Sequence, residues 1–133
     1  MNIKLRVKNL INRCNSKDPF KICKTLKIKI TCKDIGEIRG YYTICLRKKN
    51  IVLNEKLDGL SMKIVLAHEL GHAILHKKEI NLMKETFMFP KHSKIEKEAN
   101  IFATELLMDE NNNIDDYYFH SDLEIEILKS LGT

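Results

Sequence analysis

The strongest constraint on the fold is a run of apolar residues between Ser61 and His76. Apolar side chains recur every four positions and fill most of the positions between, namely Met62, Ile64, Val65, Leu66, Ala67, Leu70, Ala73, Ile74 and Leu75. A helix that is apolar on nearly every side belongs in the middle of a domain. The pair Asp-Gly at residues 58–59, which is typical of a turn, precedes this helix, and Ser61 is the predicted N-cap. We therefore expect a buried central helix here.

The polar exceptions in this helix form the pattern His-Glu-x-x-His at residues 68–72. Residues four apart lie one above the other on a helix, with Cβ atoms about 5–6 Å apart, so His68 and His72 can share one metal ion. Glu69 lies beside them, where it can take a proton from a water whose pKa a zinc ion has lowered to about 7. Without a partner, such a buried cluster would cost several kcal/mol. The pattern predicts zinc ligands at His68 and His72 and a catalytic carboxylate at Glu69.

A catalytic zinc ion usually takes three protein ligands, so a third residue is needed. His76 fits poorly because three histidines stacked on one straight helix cannot surround an ion, and we expect it to close the helix C-terminus. Glu96 is favoured because it begins a second long helix that must pack on the first, and Asn100 on the same face can orient a ligating histidine. Two alternatives stay open: Glu98 is a rival carboxylate, and the spacing from Ser93 to Glu96 also matches a capping box.

The remaining elements predict an α+β domain. We expect helices at residues 3–13 and after the Asp-Pro pair at 18–19, strands at 27–32, 41–46 and 50–53 with a turn at 47–49, and a second long helix from residue 95. The sheet is predicted to be small and antiparallel, packed against the central helix and the second ligand-bearing helix. The chain is predicted to be one domain: N-terminal helices at 1–26, sheet and zinc-site core at 27–108, and a short C-terminal tail or helix at 109–133.

Composition narrows the functional classes. The chain has 133 residues, and no apolar run approaches the ~18–20 residues that span a bilayer, so we expect no membrane segment and a cytoplasmic location. The sequence contains no Cys-x-x-Cys pair, and this argues against a structural zinc site with thiolate ligands. Residues 1–63 carry a net charge of +11, but 19 of the 23 basic residues are lysines, whereas nucleic-acid recognition favours arginine. Nucleic acid is therefore not an expected partner.

Three blocks of the sequence resemble the ImmA/IrrE family of zinc metallopeptidase-like proteins. The blocks are residues 51–54 (Ile-Val-Leu-Asn), residues 67–76 (Ala-His-Glu-Leu-Gly-His-Ala-Ile-Leu-His) and residues 96–108 (Glu-Lys-Glu-Ala-Asn-Ile-Phe-Ala-Thr-Glu-Leu-Leu-Met). The Asp-Pro-Phe segment at 18–20 is also similar. The resemblance implies a gluzincin-like fold, a zinc ion held by His68, His72 and Glu96, and Glu69 as the catalytic carboxylate.

The resemblance also implies a substrate class. Family members typically act on helix-turn-helix repressors of mobile elements or stress regulons, so peptide hydrolysis in such a repressor is the expected function. We expect the substrate strand to add to a sheet edge near residues 51–53. Tyr41, Tyr42 and His92 are candidate oxyanion stabilisers. The alternatives are a zinc-stabilised module that inactivates a repressor or toxin partner by binding without cleavage and, as a weaker option, a nucleic-acid-binding regulator.

Overall fold

The structure is a computed structural model, and it describes residues 1–78 and 93–108. The elements described are α1 (Ile3–Cys14), α2 (Pro19–Thr25), β1 (Lys29–Lys33), β2 (Gly40–Cys45), β3 (Lys48–Asn54), α3 (Gly59–Leu75) and α4 (Lys94–Leu107). The α+β class is confirmed. The predicted tail at 109–133 and the candidate His92 lie outside the described residues.

The N-terminal helices begin at side-chain caps. Asn2 accepts a hydrogen bond from the backbone N–H of Leu5 at 3.0 Å, which satisfies one of the free donors at the start of α1. Asp18 does the same for the N–H of Phe20 at 3.0 Å, and Pro19 occupies the first helical position, as the sequence predicts. The apolar stripe of α1 packs on α4, and α2 packs on α3. Both short helices therefore cover the core.

The sheet has three strands in the order β1-β3-β2. The β2–β3 pair is the predicted antiparallel hairpin, but its turn is shorter than predicted: Leu46 and Arg47 alone connect the strands, with φ of 51° and 65°. Two successive residues in the left-handed region are the mark of a type I′ turn. β1 pairs with β3 in parallel, so the prediction of a purely antiparallel sheet is wrong. The chain reverses direction between β1 and β2 and again between β2 and β3. β1 and β3 therefore run in the same direction and pair in parallel.

The central helix α3 is buried along most of its length, as predicted from its apolar sequence. Its N-cap is Asp58 rather than Ser61, because the Asp58 carboxylate accepts the N–H of Ser61 at 2.7 Å. Two glycines allow its neighbours to approach closely. A Cβ on Gly40 would lie 2.8 Å from Val65 Cγ1, and a Cβ on Gly71 would lie 3.1 Å from the ring and Cβ of Phe102. α3 is thus held between the sheet and α4.

The end of β3 is fixed by a buried asparagine. Asn54 donates its side-chain amide to the carbonyl oxygens of Gly36 at 2.9 Å and Ile38 at 2.8 Å, and its Oδ1 accepts the N–H of Lys56 at 3.1 Å. These bonds tie the loop before β2 to the segment that leads into α3. Within the described part of the chain, no helix has both the length and the apolar character needed to cross a membrane.

Candidate metal centre

The candidate site lies where the middle of α3 meets the first turn of α4. His68, Glu69 and His72 are buried on α3, with exposed fractions of 8%, 8% and 4%. Glu96 lies in the first turn of α4, where the N-cap Ser93 accepts its backbone N–H at 3.3 Å. The Glu96 carboxylate faces the two histidines instead of turning back to Ser93. Helix capping and a role for Glu96 in the site are therefore compatible.

The ligand atoms of three residues converge. His68 Nε2 lies 2.7 Å from Glu96 Oε2, and His72 Nε2 lies 3.3 Å from both carboxylate oxygens. One nitrogen or oxygen atom from each residue falls within 4.8 Å of the others, an arrangement that can hold a metal ion. The two imidazole rings are 4.9 Å apart between centroids and nearly perpendicular, at 88°. Two nitrogens and one oxygen are the donor set of a catalytic zinc site.

The three groups perturb one another electrostatically. Burial opposes the charged form of Glu96, but hydrogen bonds from His68 and His72 outweigh it and lower its pKa to about 2. Burial likewise acts to lower the pKa of His68, yet the hydrogen bond to Glu96 and the charge of Glu69 raise it above its usual value. Burial raises the pKa of Glu69, against the attraction of the neighbouring histidines. Glu69 is thus made more basic, as a proton acceptor requires.

The outer nitrogen of His68 supports a metal role. His68 Nδ1 and Asn100 Oδ1 are both buried, and neither has a hydrogen-bond partner among the described residues. The Asn100 side chain nonetheless contributes to the raised pKa of His68, which indicates that the two groups are neighbours. An imidazole that binds a metal through Nε2 carries its proton on Nδ1, and the Asn100 oxygen is the acceptor that this proton needs. The residues present therefore fit a metal ion.

The structure brings His76 to the position that the sequence predicts and gives it an unexpected neighbour. His76 is the C-cap of α3, with an exposed fraction of 2%. Its Nδ1 lies 3.0 Å from His72 Nδ1, and its Nε2 lies 3.1 Å from Glu98 Oε1. Neither His76 nor Glu98 belongs to the group that can hold a metal. The sequence analysis places His76 at the end of the helix and treats Glu98 as a rival ligand, but it does not predict their contact.

The catalytic candidate Glu69 lies against the edge of the sheet. Asn54 donates its N–H to the carbonyl of Arg39, so the odd-numbered residues of β2 make the hydrogen bonds to β3, and the N–H of Tyr42 points outward. This N–H is one of the groups that act to lower the pKa of Glu69. The predicted substrate edge near residues 51–53 is wrong, because β3 is the central strand and both of its sides are paired. The outer edge of β2 is the one beside Glu69.

The candidate oxyanion stabilisers are placed differently from one another. Tyr42 is 4% exposed, its hydroxyl is buried without a hydrogen-bond partner in the described residues, and burial raises its pKa to about 12. Tyr41 is half-buried on the opposite face of β2. Tyr42 contributes to the site through its backbone N–H, a role that the alternation of hydrogen-bonded pairs in the hairpin would have indicated.

Comparisons with a family model and with known proteins give matches over most of the chain. A peptidase M78 family model, described as the IrrE N-terminal-like domain, matches residues 23–127. The chain is 37% identical over 108 residues to "Uncharacterized immunity region protein 2" of Bacillus phage phi105, covering 80% of this chain and 68% of that protein. It is 31% identical over 108 residues to "Metallopeptidase ImmA" of Bacillus subtilis strain 168, covering 80% of this chain and 63% of that protein. The chain thus spans about two thirds of the length of these relatives.

Proposed function

Because the chain belongs to the ImmA/IrrE family of metallopeptidases, we propose that it is a zinc-dependent endopeptidase that hydrolyses a peptide bond in a protein substrate. The observation that carries this proposal is the convergence of His68, His72 and Glu96 beside Glu69. We assign the three converging residues as the zinc ligands and Glu69 as the catalytic carboxylate. Asn100 orients His68 from behind.

The zinc ion supplies Lewis acidity when bound: it polarises the scissile carbonyl and lowers the pKa of the attacking water to about 7. The chain's own residues do the rest. Glu69 accepts the proton of the attacking water and then delivers it to the leaving amine, a role for which its burial and raised pKa suit it. The burial of the surrounding α3 side chains excludes bulk water from this exchange.

The free edge of β2 is the surface on which we place the substrate backbone. An extended peptide can add to an exposed strand by main-chain hydrogen bonds. In β2, the outward-facing groups belong to Gly40, Tyr42 and Ile44, and no described strand pairs with this edge. The Tyr42 N–H faces Glu69, so a peptide seated here passes close to the catalytic carboxylate.

A helix-turn-helix repressor of a mobile element or stress regulon is the substrate that we propose. The name of the phage relative places that protein in an immunity region, and this supports the proposal. A repressor substrate also places the activity in the cytoplasm.

The test compares the wild-type protein with Glu69→Gln on a helix-turn-helix repressor encoded beside this chain's gene. Glutamine keeps the shape of glutamate but cannot accept a proton, so we expect zinc content and fold to persist while cleavage falls by ~10²–10⁴-fold. Intact-mass analysis reports the cleavage. Equal cleavage by both proteins would reveal a contaminating protease. If neither protein cleaves, yet both relieve repression in cells, the protein acts by binding and the hydrolytic proposal fails.

A further inference from the structure

We propose that His76 and Glu98 form a hydrogen-bonded relay behind His72 that fixes the orientation and strengthens the zinc affinity of this ligand. The inference rests on the proposed function, because it takes His72 as a zinc ligand. The two residues do not touch the metal position, and they act through His72. They are positioning residues.

The relay is continuous and almost fully withdrawn from solvent. His72 Nδ1 lies 3.0 Å from His76 Nδ1, and His76 Nε2 lies 3.1 Å from Glu98 Oε1. The side chains of His72, His76 and Glu98 are 5%, 2% and 15% exposed. A run of two buried imidazoles ending on a carboxylate has few alternative hydrogen-bond arrangements, because water cannot replace the partners.

The chemistry of the three groups sets the direction of the hydrogen bonds. An ionised Glu98 can only accept, so His76 must carry a proton on Nε2. A neutral His76 then has a lone pair on Nδ1, which accepts the hydrogen bond that the Nδ1–H of His72 donates. When zinc occupies the site in place of a proton, the lone pair of His72 is on Nε2, the atom that faces Glu96. The relay therefore selects the tautomer of His72 that can bind a metal.

The carboxylate at the end of the relay also changes the strength of the ligand. Carboxylates and carbonyls that accept the outer N–H of a metal-bound histidine raise its basicity, and removing such a partner costs ~10–100-fold in metal affinity. Here the carboxylate acts through one intervening imidazole. Glu98 is two residues from Glu96, about 200° around the helix axis, so one turn of α4 supplies both a ligand and the end of the relay.

The experiment measures zinc affinity by competition with a chelating indicator, for the full chain and four variants. His76→Phe keeps a ring in the buried site but removes both nitrogens, and Glu98→Gln keeps the shape but removes the charge. We expect each to weaken zinc binding by ~10–100-fold. The side-chain oxygen of Asn in His76→Asn can still accept a hydrogen bond near the position of Nδ1, so this variant should retain more affinity than His76→Phe. Glu105→Gln is the matched control, with the same charge change on the same helix about 10 Å along its axis, and should bind as wild type.

A second measurement separates a hydrogen-bonded relay from simple packing. In zinc-loaded protein with ¹⁵N-labelled histidine, the Nδ1–H proton of His72 should resonate far downfield and move upfield in Glu98→Gln. Wild-type zinc affinity in His76→Phe, equal losses in His76→Asn and His76→Phe, or an unshifted proton in Glu98→Gln would each overturn the relay. Neither readout requires hydrolysis, so a failure here is distinct from a failure of the peptidase proposal.

Discussion

The two histidines of the candidate site lie one turn apart on the same helix, yet the structure surrounds them differently. Behind His68 is a single neutral side chain, Asn100, whose oxygen is buried without a partner in the described residues. Behind His72 is a second imidazole, His76, followed by the Glu98 carboxylate. The inner nitrogens of both rings meet the same Glu96 carboxylate.

This difference shows what each helix contributes. The spacing of residues on α3 is enough to place two imidazoles side by side, because it depends on one helix alone. The groups behind them come largely from α4, and their identity depends on how the two helices pack. A site that looks symmetric in its ligands is therefore asymmetric in its support.

The largest expected effect comes from removing Glu96, the group that both histidines contact. Glu96→Ala deletes the carboxylate that meets both imidazoles. We expect the wild-type protein to hold one zinc per chain and the variant to lose it on dialysis. Metal analysis of the purified proteins checks this, with Glu105→Ala as the control. Full zinc retention in Glu96→Ala, together with zinc loss in Glu98→Ala, would transfer the ligand role to Glu98.

Removing the metal tests how far the stability of the folded protein depends on it. Without zinc, two buried imidazoles and a carboxylate must satisfy one another inside an apolar helix pair. At free zinc a thousandfold above the dissociation constant, binding stabilises the native state by ~4.1 kcal/mol, which for a chain of this size is a change in Tm on the order of 10 °C. Calorimetry with and without a chelator measures it. An unchanged Tm after verified zinc removal would show that the site is not coupled to folding.

The sequence predicts helices α3 and α4 well, for a physical reason. Their signals are local: an apolar helix interrupted at i and i+4, and an amphipathic stripe beginning after Ser93. The family and the metallopeptidase class that these motifs indicate are confirmed by the matches. The ligand roles of His68, His72 and Glu96 stay predictions, although the structure brings their ligand atoms together.

The features that the sequence does not predict depend on non-local register. The parallel pairing of β1 with β3 cannot be read from alternation within a strand, since alternation describes faces and not neighbours. The central position of β3 moves the free edge to β2, which is why the predicted substrate edge is wrong. The His76–Glu98 contact joins residues 22 apart in sequence and depends on the packing of α3 on α4.

The group behind His68 can be removed without changing the groups behind His72. Asn100→Ala removes the acceptor behind His68 Nδ1 and should lower zinc affinity by ~10–100-fold. Asn100→Asp keeps an acceptor at this position and should bind zinc at least as tightly as wild type. The measurement is the same chelator competition, at constant pH. If Asn100→Ala binds zinc like wild type, the amide has no orienting role and the two sides differ more than we propose.

The smallest expected effect concerns the close packing of α3 on α4 at Gly71. Alanine at position 71 would gain ~1 kcal/mol in helix propensity over Gly71. Its Cβ, however, would lie 3.1 Å from three atoms of Phe102, which is fully buried. Overpacking of this kind costs ~1–3 kcal/mol. We therefore expect Gly71→Ala to lower the free energy of unfolding by up to ~2 kcal/mol, measured by urea unfolding.

Gly59→Ala is the control, because a Cβ there meets nothing within 4 Å and the gain in helix propensity is unopposed. Since the strain pushes α4 away from α3, Gly71→Ala should also weaken zinc binding, through the displacement of Glu96 from the histidines. A Gly71→Ala protein that is more stable than wild type and binds zinc equally well would show that the helices adjust without moving the ligands.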